Sequence, residues 1–369
     1  MCKGKKSAGV YVHIPFCSSK CPYCDFFSRK GNESLYDKYT AVLMEKIRSS
    51  GFSLQADTVY FGGGTPGLIG AERLVRILRC IRESFGDISG EVTAEVNPSK
   101  EDIDYGLMIS GGINRLSVGL QSANDRELRL LGRNHDSAAA KKAIRSARAA
   151  GFENISLDLM LALPGQTRDE LRRSVDFCAE NNAKHISAYM LQIEEGTYFY
   201  RHRKEMDFPG EEESAEIYEY LCGLMEEYGY EHYEISNFCR PGFEGKHNLK
   251  YWRDEEYIGF GPSAHSFIDG KRFCTPGNMK AFEEGEQVSQ GTGGDEEEFL
   301  MLGLRLSEGI SRSRFRERFG KELPPGFVER ARQLQRHGLT RVTEDGVSLT
   351  RKGFLVSNDL IAELLLENV

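Results

Sequence analysis

The stretch Tyr11-Val-His-Ile-Pro-Phe-Cys17-Ser-Ser-Lys-Cys21-Pro-Tyr-Cys24-Asp-Phe26 joins a short alternating apolar run to three closely spaced cysteines. The alternation of Val10, Val12 and Ile14 predicts a β-strand, so the cysteines lie on the loop that follows it. Three thiolates with C-x-x-x-C-x-x-C spacing on one loop can converge on a single inorganic centre, because soft sulfur ligands suit iron–sulfur clusters and zinc. This strand and its loop therefore determine both the fold and the chemistry that the rest of the chain is expected to support.

The number of cysteines on the loop separates two kinds of metal site. A structural zinc site takes four ligands in a closed tetrahedron, whereas a 4Fe–4S cluster held by Cys17, Cys21 and Cys24 leaves one iron open for another ligand. Zinc with His13 as the fourth ligand stays an alternative, although a histidine on an alternating strand is more often packed or hydrogen-bonded. The other six of the nine cysteines are scattered, and an odd total fits a disulfide framework poorly.

Length and composition are those of a globular protein with more than one domain. The chain has 369 residues, and one core usually stops growing at ~250 to 300 residues. The formal net charge of −8 argues against a nucleic-acid partner. No apolar stretch is long enough to span a bilayer, and the N-terminus lacks the pattern of a signal peptide. We therefore expect a cytoplasmic protein with reduced cysteines.

Apolar alternation and helical spacing follow one another repeatedly in the first half of the chain. The alternating runs predict strands at 10–14, 59–61, 92–96, 116–120, 155–161 and 186–190. The helical spacing between them predicts helices at 36–47, 74–85, 102–109, 137–150 and 168–178. Six parallel βα units predict an α/β fold, either a doubly wound sheet or a partial barrel, and both place the chemistry at the carboxyl ends of the strands.

The pattern changes after the sixth strand. An acidic helix is predicted at 211–228, and the aromatic-rich stretch 230–273 contains the only tryptophan. The segment 287–294 is rich in Gly, Gln, Ser and Thr and is interpreted as a linker. Helices and an alternating hairpin at 339–350 follow, which is typical of a small winged-helix-like module. Its basic run, Arg312 to Arg318, is interpreted as a solvated helix face and not as a DNA-binding surface.

This change of pattern divides the chain into three predicted parts. Residues 1–205 are expected to form the barrel with the cluster site. Residues 206–290 are expected to extend the barrel, and residues 295–369 to form the C-terminal module.

A glycine run and several polar residues lie near the predicted strand ends. Gly62-Gly63-Gly64-Thr65-Pro66 follows the second strand, where glycine lets a ligand approach the backbone and Thr65 supplies a hydroxyl. A glycine run alone is more often only a turn. Polar residues near the ends of later strands are Glu95, Gln121, Arg133 and Asp158. Each of these alone is more often a structural hydrogen-bonding group.

The cysteine loop and the strand order resemble those of the radical S-adenosylmethionine (SAM) enzymes. The chain from Tyr11 onward is similar to the oxygen-independent coproporphyrinogen III oxidase group. The resemblance implies a partial (β/α)6 barrel with a small, mostly helical, winged-helix-like C-terminal module. It also implies that Cys17, Cys21 and Cys24 bind a 4Fe–4S cluster whose open iron is chelated by SAM. In the mechanism that the resemblance implies, an electron from a donor such as flavodoxin or ferredoxin cleaves SAM and produces a 5′-deoxyadenosyl radical.

The same resemblance assigns the SAM contacts. It places Gly63, Gly64 and Thr65 against the methionyl part of the molecule. The full set of residues that it implies is Tyr11, Tyr23, Gly63, Gly64, Thr65, Glu95, Gln121, Arg133 and Asp158.

Two features differ from the oxidases. The oxidase pattern continues to a fourth cysteine two residues after the third, where this chain has Phe26. The oxidases also carry a long N-terminal extension that contributes to the active site, whereas only ten residues precede Tyr11 here. Both features match the HemW-type subgroup, oxidase-like proteins regarded as haem chaperones. Its H-N-x-x-Y-W motif stands here as His247-Asn248-Leu249-Lys250-Tyr251-Trp252.

The chemistry of this motif suits haem. Neutral imidazole from His247 is a good axial ligand for haem iron, and Tyr251 with Trp252 could cover the apolar porphyrin face. Asn248 could orient the histidine or meet a propionate. His265 is a second candidate, although its chemistry alone favours a structural or substrate-contacting role.

Three hypotheses follow. The first is a haem chaperone with a cluster and SAM, which transfers haem to an unidentified acceptor protein and would also suit an acceptor associated with a membrane. The second is an enzyme, a coproporphyrinogen III dehydrogenase that works by oxidative decarboxylation. The third is a zinc-binding module without radical chemistry. The sequence favours the first and leaves enzymatic activity undecided.

Overall fold

The computed structural model describes residues 6–98 and 103–366. Six strands at the centre of its main sheet follow one another in chain order, and each neighbouring pair is parallel. These strands are β1 (Lys6–Ile14), β2 (Leu54–Gly63), β3 (Val92–Val96), β4 (Arg115–Gln121), β5 (Asn154–Leu161) and β6 (His185–Met190). The prediction of six parallel βα units in a partial barrel is confirmed.

Helices connect these strands and pack apolar side chains such as Leu43, Leu74 and Ile77 into the core. They are α1 (Glu33–Arg48), α2 (Ala71–Phe85), α3 (Tyr105–Ser110), α4 (Asp125–Leu130), α5 (Ser137–Ala149) and α6 (Arg168–Glu180). The short α4 was not predicted. Asp102, the predicted start of α3, lies outside the described residues, as does Cys2.

Side-chain caps fix where several of these helices begin. Asn32 accepts a hydrogen bond from a first-turn backbone N–H of α1, and Asp136 does the same for α5. Thr167 and Glu170 form a reciprocal capping box at the start of α6. These caps satisfy backbone donors that have no partner inside the helix.

The residues after β6 extend both edges of the main sheet. β8 (Asn237–Cys239) pairs with β6 and with β7 (Glu231–Glu234), both antiparallel. β9 (Tyr257–Phe260) pairs parallel with β1 and is followed by β10 (His265–Ile268), β11 (Lys271–Cys274) and β12 (Val288–Thr292). The helices of this region are α7 (Tyr198–Arg201), α8 (Glu211–Glu227), α9 (Lys246–Trp252) and α10 (Met279–Glu284).

The interpretation of 287–294 as a linker is wrong for most of its length. Val288 and Ser289 pair with β11 in an antiparallel register, so the segment forms the edge strand β12. All five residues of this strand are exposed. Composition therefore suggested a linker, while backbone hydrogen bonds to a neighbouring strand decide the structure.

The C-terminal module has helices and its own small sheet. The sheet order is β13-β15-β14, formed by β13 (Ile310–Ser311), β14 (Thr340–Val342) and β15 (Gly346–Leu349). The helices are α11 (Glu296–Gly303), α12 (Arg312–Phe319), α13 (Pro325–Gln335), α14 (Arg351–Leu355) and α15 (Ser357–Leu365). The predicted hairpin and winged-helix-like character are confirmed. The exact division into residues 1–205, 206–290 and 295–369 stays a prediction.

Helix α9 closes the end of the barrel where the strands begin. Glu91, which directly precedes β3, accepts the backbone N–H groups of Lys246 and His247 at 3.1 and 3.2 Å. Lys250 is buried and forms an ion pair with Asp57 on β2 at 2.6 Å. These contacts place α9 at the amino ends of the strands, whereas the cysteine loop follows the carboxyl end of β1.

Asp254 joins the barrel extension to the C-terminal module. Its side chain is fully buried and accepts hydrogen bonds from Arg272 at 3.1 Å and from Arg318 of α12 at 2.6 Å. Arg314 and Arg316 form ion pairs with Glu308 and Glu322. Three of the four arginines in the basic run are thus ion-paired. The expected solvated face is wrong for Arg318, which forms part of the interface between the two regions.

Asp254→Asn tests this junction. The backbone φ of Asp254 is +52°, which asparagine tolerates, so the change removes charge with little backbone strain. We expect the free energy of unfolding, measured with urea, to fall by about 2–3 kcal/mol, because two arginines lose a charged acceptor. Asp269→Asn is the matched control, since Asp269 has a φ of +49° and pairs with an exposed Lys6. Equal midpoints for the two variants would contradict the assignment.

Candidate functional site

A cavity of about 570 Å³ lies at the carboxyl ends of the barrel strands. Cys17, Cys21 and Cys24 all line it. Eight of the nine predicted SAM contacts line the same cavity: Tyr23, Gly63, Gly64, Thr65, Glu95, Gln121, Arg133 and Asp158. Tyr11 is not among the lining residues, and its hydroxyl lies 3.1 Å from Nδ1 of His13. Residues that are far apart in the sequence thus meet at one end of the barrel.

The cysteine loop is held by its own backbone and by two side chains of the cavity. Thr65 Oγ1 lies 3.7 Å from the Cys17 sulfur, and Arg133 donates to the Cys21 sulfur at 3.5 Å. Burial raises the pKa of Cys17 and of Cys24, and the charge of Arg133 favours the thiolate form of Cys17. Soft sulfur donors beside a fixed cation suit a thiolate-bound iron–sulfur cluster.

The surroundings of His13 weigh against the zinc alternative. Among residues 6–98 and 103–366, no three His, Cys, Asp or Glu side chains are close enough to hold one metal ion. In a 4Fe–4S cluster each thiolate binds a different iron, so its ligands lie further apart than those of one zinc. His13, the fourth ligand in the zinc alternative, instead has both ring nitrogens in hydrogen-bond contact with Tyr11 and with the carbonyl of Phe27.

Each glycine of the run at the end of β2 avoids a steric clash. A Cβ at Gly62 would lie 3.0 Å from the Glu95 carboxylate, and one at Gly63 would lie 2.6 Å from the His13 ring. A Cβ at Gly64 would lie 2.6 Å from a carbonyl oxygen of the cysteine loop. Gly63 also has a φ of +108°, which side chains rarely permit. The run therefore lets β2 pack tightly against the cysteine loop and leaves backbone at the cavity surface.

Two carboxylates stand on adjoining parts of the cavity wall. Glu95 accepts the Tyr60 hydroxyl at 2.8 Å and the Gly63 N–H at 3.2 Å. Burial raises the pKa of Glu95 to about 7, and the hydrogen bond from Tyr60 opposes this rise. Burial also raises the pKa of Asp158, which accepts the Ser117 hydroxyl at 3.0 Å. The site therefore offers acceptors for a cationic or hydroxyl-bearing ligand.

Tyr60 and Asn97 are among the cavity residues that the sequence analysis did not identify. Asn97 directly follows β3, donates to Thr65 at 2.8 Å and accepts from Arg133 at 2.5 Å. Its position after a strand, the same signal that pointed to the other polar residues, could have identified it. Tyr60 gave no such signal, because it lies inside β2 among the residues whose alternation predicted the strand.

The H-N-x-x-Y-W motif lies at the opposite end of the barrel, on α9. His247 is 0% exposed, and its two ring nitrogens contact the hydroxyls of Thr58 at 2.9 Å and Tyr251 at 2.8 Å. Burial lowers the pKa of His247 to about 3. Asn248 is half-buried, and Trp252 lies beneath the guanidinium of Arg305. In this arrangement neither nitrogen of His247 is open to haem iron.

His265 differs from His247 in its accessibility. It is exposed at the start of β10, and its Nδ1 lies 2.9 Å from the side-chain oxygen of Gln290. A hydrogen bond at Nδ1 fixes the tautomer that leaves Nε2 available as a ligand.

Comparison with known proteins relates the whole chain to one group. Residues 11–178 match the radical SAM superfamily, and residues 296–356 match the HemN C-terminal domain. The chain is 36% identical to "Heme chaperone HemW" of Bacillus subtilis, over 96% of this chain and 98% of that protein. It is 33% identical to the protein of the same name from Lactococcus lactis, over 99% of both.

One solved structure extends the likeness to the fold. Coproporphyrinogen III oxidase (HemN) from Escherichia coli superposes with a TM-score of 0.82 over 98% of this chain and 90% of that chain, at 23% identity. In addition, no helix in the described parts of the chain is long and apolar enough to cross a membrane.

Glu95→Gln tests the electrostatics of the cavity. A carboxyl whose pKa is raised by folding adds stability below its unfolded pKa of about 4.5, and this contribution is lost as the pH rises through about 7. Glutamine does not titrate, so the unfolding free energy of the variant minus that of wild type should rise by about 1–2 kcal/mol from about pH 5 to about pH 8. This is less than the full pKa shift implies, because the cavity beside Glu95 is open to solvent. Urea unfolding at both pH values measures this, and a difference independent of pH would contradict it.

Proposed function

Because the chain belongs to the radical SAM superfamily and, within it, to the HemW family of heme chaperones, we propose that it is itself a haem chaperone. In this proposal it binds haem and transfers it to an acceptor protein. The observation that carries the proposal is the full-length similarity, 36% identity over 98% of the Bacillus subtilis chaperone. The similarity therefore covers the barrel extension and the C-terminal module as well as the barrel.

The cavity supplies the cofactor site of this proposal. Cys17, Cys21 and Cys24 would hold a 4Fe–4S cluster, and SAM would bind beside it in the cavity that these cysteines line. When bound and reduced by a donor such as flavodoxin or ferredoxin, the cluster supplies the electron for SAM cleavage. The backbone at Gly63 and Gly64 lines the ligand's path, and Glu95 with Asp158 accepts its donor groups. These roles agree with the chemistry of the side chains that surround the cavity.

Haem is the cargo in this proposal. Two histidines, His247 and His265, are candidates for its axial ligand. His247 belongs to the predicted motif with Asn248, Tyr251 and Trp252, but haem can reach its ring only if α9 leaves the end of the barrel. His265 needs no such movement. We propose the motif as the haem site, with opening of α9 as the step that exposes it.

A coproporphyrinogen III dehydrogenase is the second candidate function. The shared fold and the cavity of cysteines favour it. Phe26 argues against this function, because the oxidases have a further cysteine at this position. The Phe26 side chain lines the cavity and is 64% exposed. Anaerobic incubation of the protein with coproporphyrinogen III, SAM and a reductant decides between the two candidate functions, since only the enzyme would release protoporphyrinogen.

Iron and sulfide analysis after anaerobic reconstitution tests the cluster. We expect about four irons and four sulfides per chain, as in clusters of this type, and a loss of both in Cys21→Ser. Cys274→Ser, at a half-buried cysteine outside the loop, is the matched control and should bind iron as wild type does. Stoichiometric zinc without sulfide would establish the zinc-binding alternative instead.

Haem titration of three histidine variants tests the cargo site. Ligation by His247 predicts that His247→Gln weakens haem binding at least tenfold and alters the absorption spectrum, whereas His265→Gln and His337→Gln do not. His337 is exposed on the C-terminal module and serves as the control. The reverse result, with loss only in His265→Gln, would move the ligand to β10, and three unchanged spectra would remove both candidates. Failure of the wild-type chain to bind haem would contradict the chaperone proposal.

A further inference from the structure

Tyr60 connects the two ends of the barrel. At the closed end its ring stacks against His247, with centroids 5.5 Å apart and ring planes 30° from parallel. At the cavity its hydroxyl donates to Glu95 at 2.8 Å, and Glu95 also accepts the N–H of Gly63. One side chain on β2 therefore touches both the H-N-x-x-Y-W motif and a carboxylate of the cofactor cavity.

The ring of His247 is held from several directions. Thr58 and Tyr251 bind its two nitrogens, and Glu91 accepts its backbone N–H. A Cβ at Gly9 would lie 3.0 Å from its Cε1, so β1 also packs closely against the ring. The histidine thus has the fixed orientation that is needed to support a neighbouring ring.

Tyr60 itself has little freedom to move. Tyr11 stacks on it with ring centroids 6.2 Å apart. A Cβ at Gly62 would lie 2.8 Å from the Tyr60 ring, so the β2 backbone confines it as well. Loss of the His247 ring would remove one of the walls that aim the Tyr60 hydroxyl at Glu95.

We propose that His247 and Tyr60 are positioning residues for the SAM site, acting through Glu95. His247 fixes the ring of Tyr60, and the hydroxyl of Tyr60 holds the Glu95 carboxylate in the orientation that accepts a hydrogen bond from SAM. This inference rests on the proposed function only in taking SAM as the ligand of the cavity. It gives the H-N-x-x-Y-W motif a role in the resting protein that does not require haem.

The charged surroundings of Glu95 allow a second readout. Burial and Asp158 raise its pKa, whereas the Tyr60 hydrogen bond and Arg115 lower it. Tyr11 and Tyr189 are also close enough to Glu95 that its negative charge raises the pKa of their hydroxyls. Removal of the Tyr60 hydroxyl should therefore raise the pKa of Glu95 further, so that SAM binding needs a higher pH.

Equilibrium dialysis of labelled SAM against anaerobically reconstituted full-length protein, from about pH 6 to 9, tests the proposal. Tyr60→Phe should weaken SAM binding about tenfold at pH 7, the scale of one hydrogen bond to a charged group, and should move the pH midpoint of binding upward. His247→Gln should weaken binding severalfold with unchanged iron content. Tyr228→Phe is the matched control, because Tyr228 also donates to a carboxylate, Asp176 at 2.6 Å, but away from the cavity.

The possible outcomes separate the two proposals. Wild-type affinity and pH midpoint in Tyr60→Phe would overturn the positioning role, while wild-type SAM binding would leave the proposed function intact. An absence of SAM binding in reconstituted wild type would overturn the cofactor assignment and with it this inference. Should His247→Gln fail to fold, Thr58→Val loosens the same ring without removing it, and unchanged SAM affinity in that variant would equally contradict a role for His247.

Discussion

The parallel pairing of β1 with β2 brings the cysteine loop and the glycine run together. The register matches Ile14 with Gly63, and beyond the strands Gly64 donates to the carbonyl of Ile14 and Thr65 to that of Phe16. The residues that follow the two strands therefore emerge side by side. Any slip of this register would separate the thiols from the backbone that faces them, so the site depends on the pairing more than on any single side chain.

The interior of the barrel carries polar groups along its length, where barrels commonly hold layers of apolar side chains. Burial of such groups is costly unless each finds a partner. At the closed end Glu91 accepts two backbone N–H groups of α9 and lies 3.7 Å from the buried Arg115. Nearer the cavity, hydroxyls of Tyr60 and Ser117 satisfy Glu95 and Asp158. The pairing that makes the interior stable also joins the closed end to the cavity.

The sequence predicted what depends on local pattern. Strand alternation and helical spacing identified the six barrel strands, and parallel strands necessarily bring their carboxyl ends to one edge. The gathering of residues such as Glu95 and Asp158 around one cavity followed from that rule. The location of α9 did not, because contacts with residues far away in the chain, such as Asp57 and Glu91, decide which end of the barrel a short helix occupies. The edge strand β12 was not predicted for a similar reason. Its backbone hydrogen bonds to β11 define it, and its side chains show no pattern that indicates a strand.

The burial of His247 places a thermodynamic condition on haem binding through the motif. A nitrogen that ligates iron must first leave Thr58 or Tyr251, and exposure of the ring removes it from Tyr60. If Tyr60 supports SAM binding through Glu95, ligation of haem by His247 weakens SAM binding. Coupling between two equilibrium sites is reciprocal, so bound SAM must weaken haem binding by the same factor. A carrier built in this way would hold haem less tightly when its cofactor site is filled, which would favour release to an acceptor.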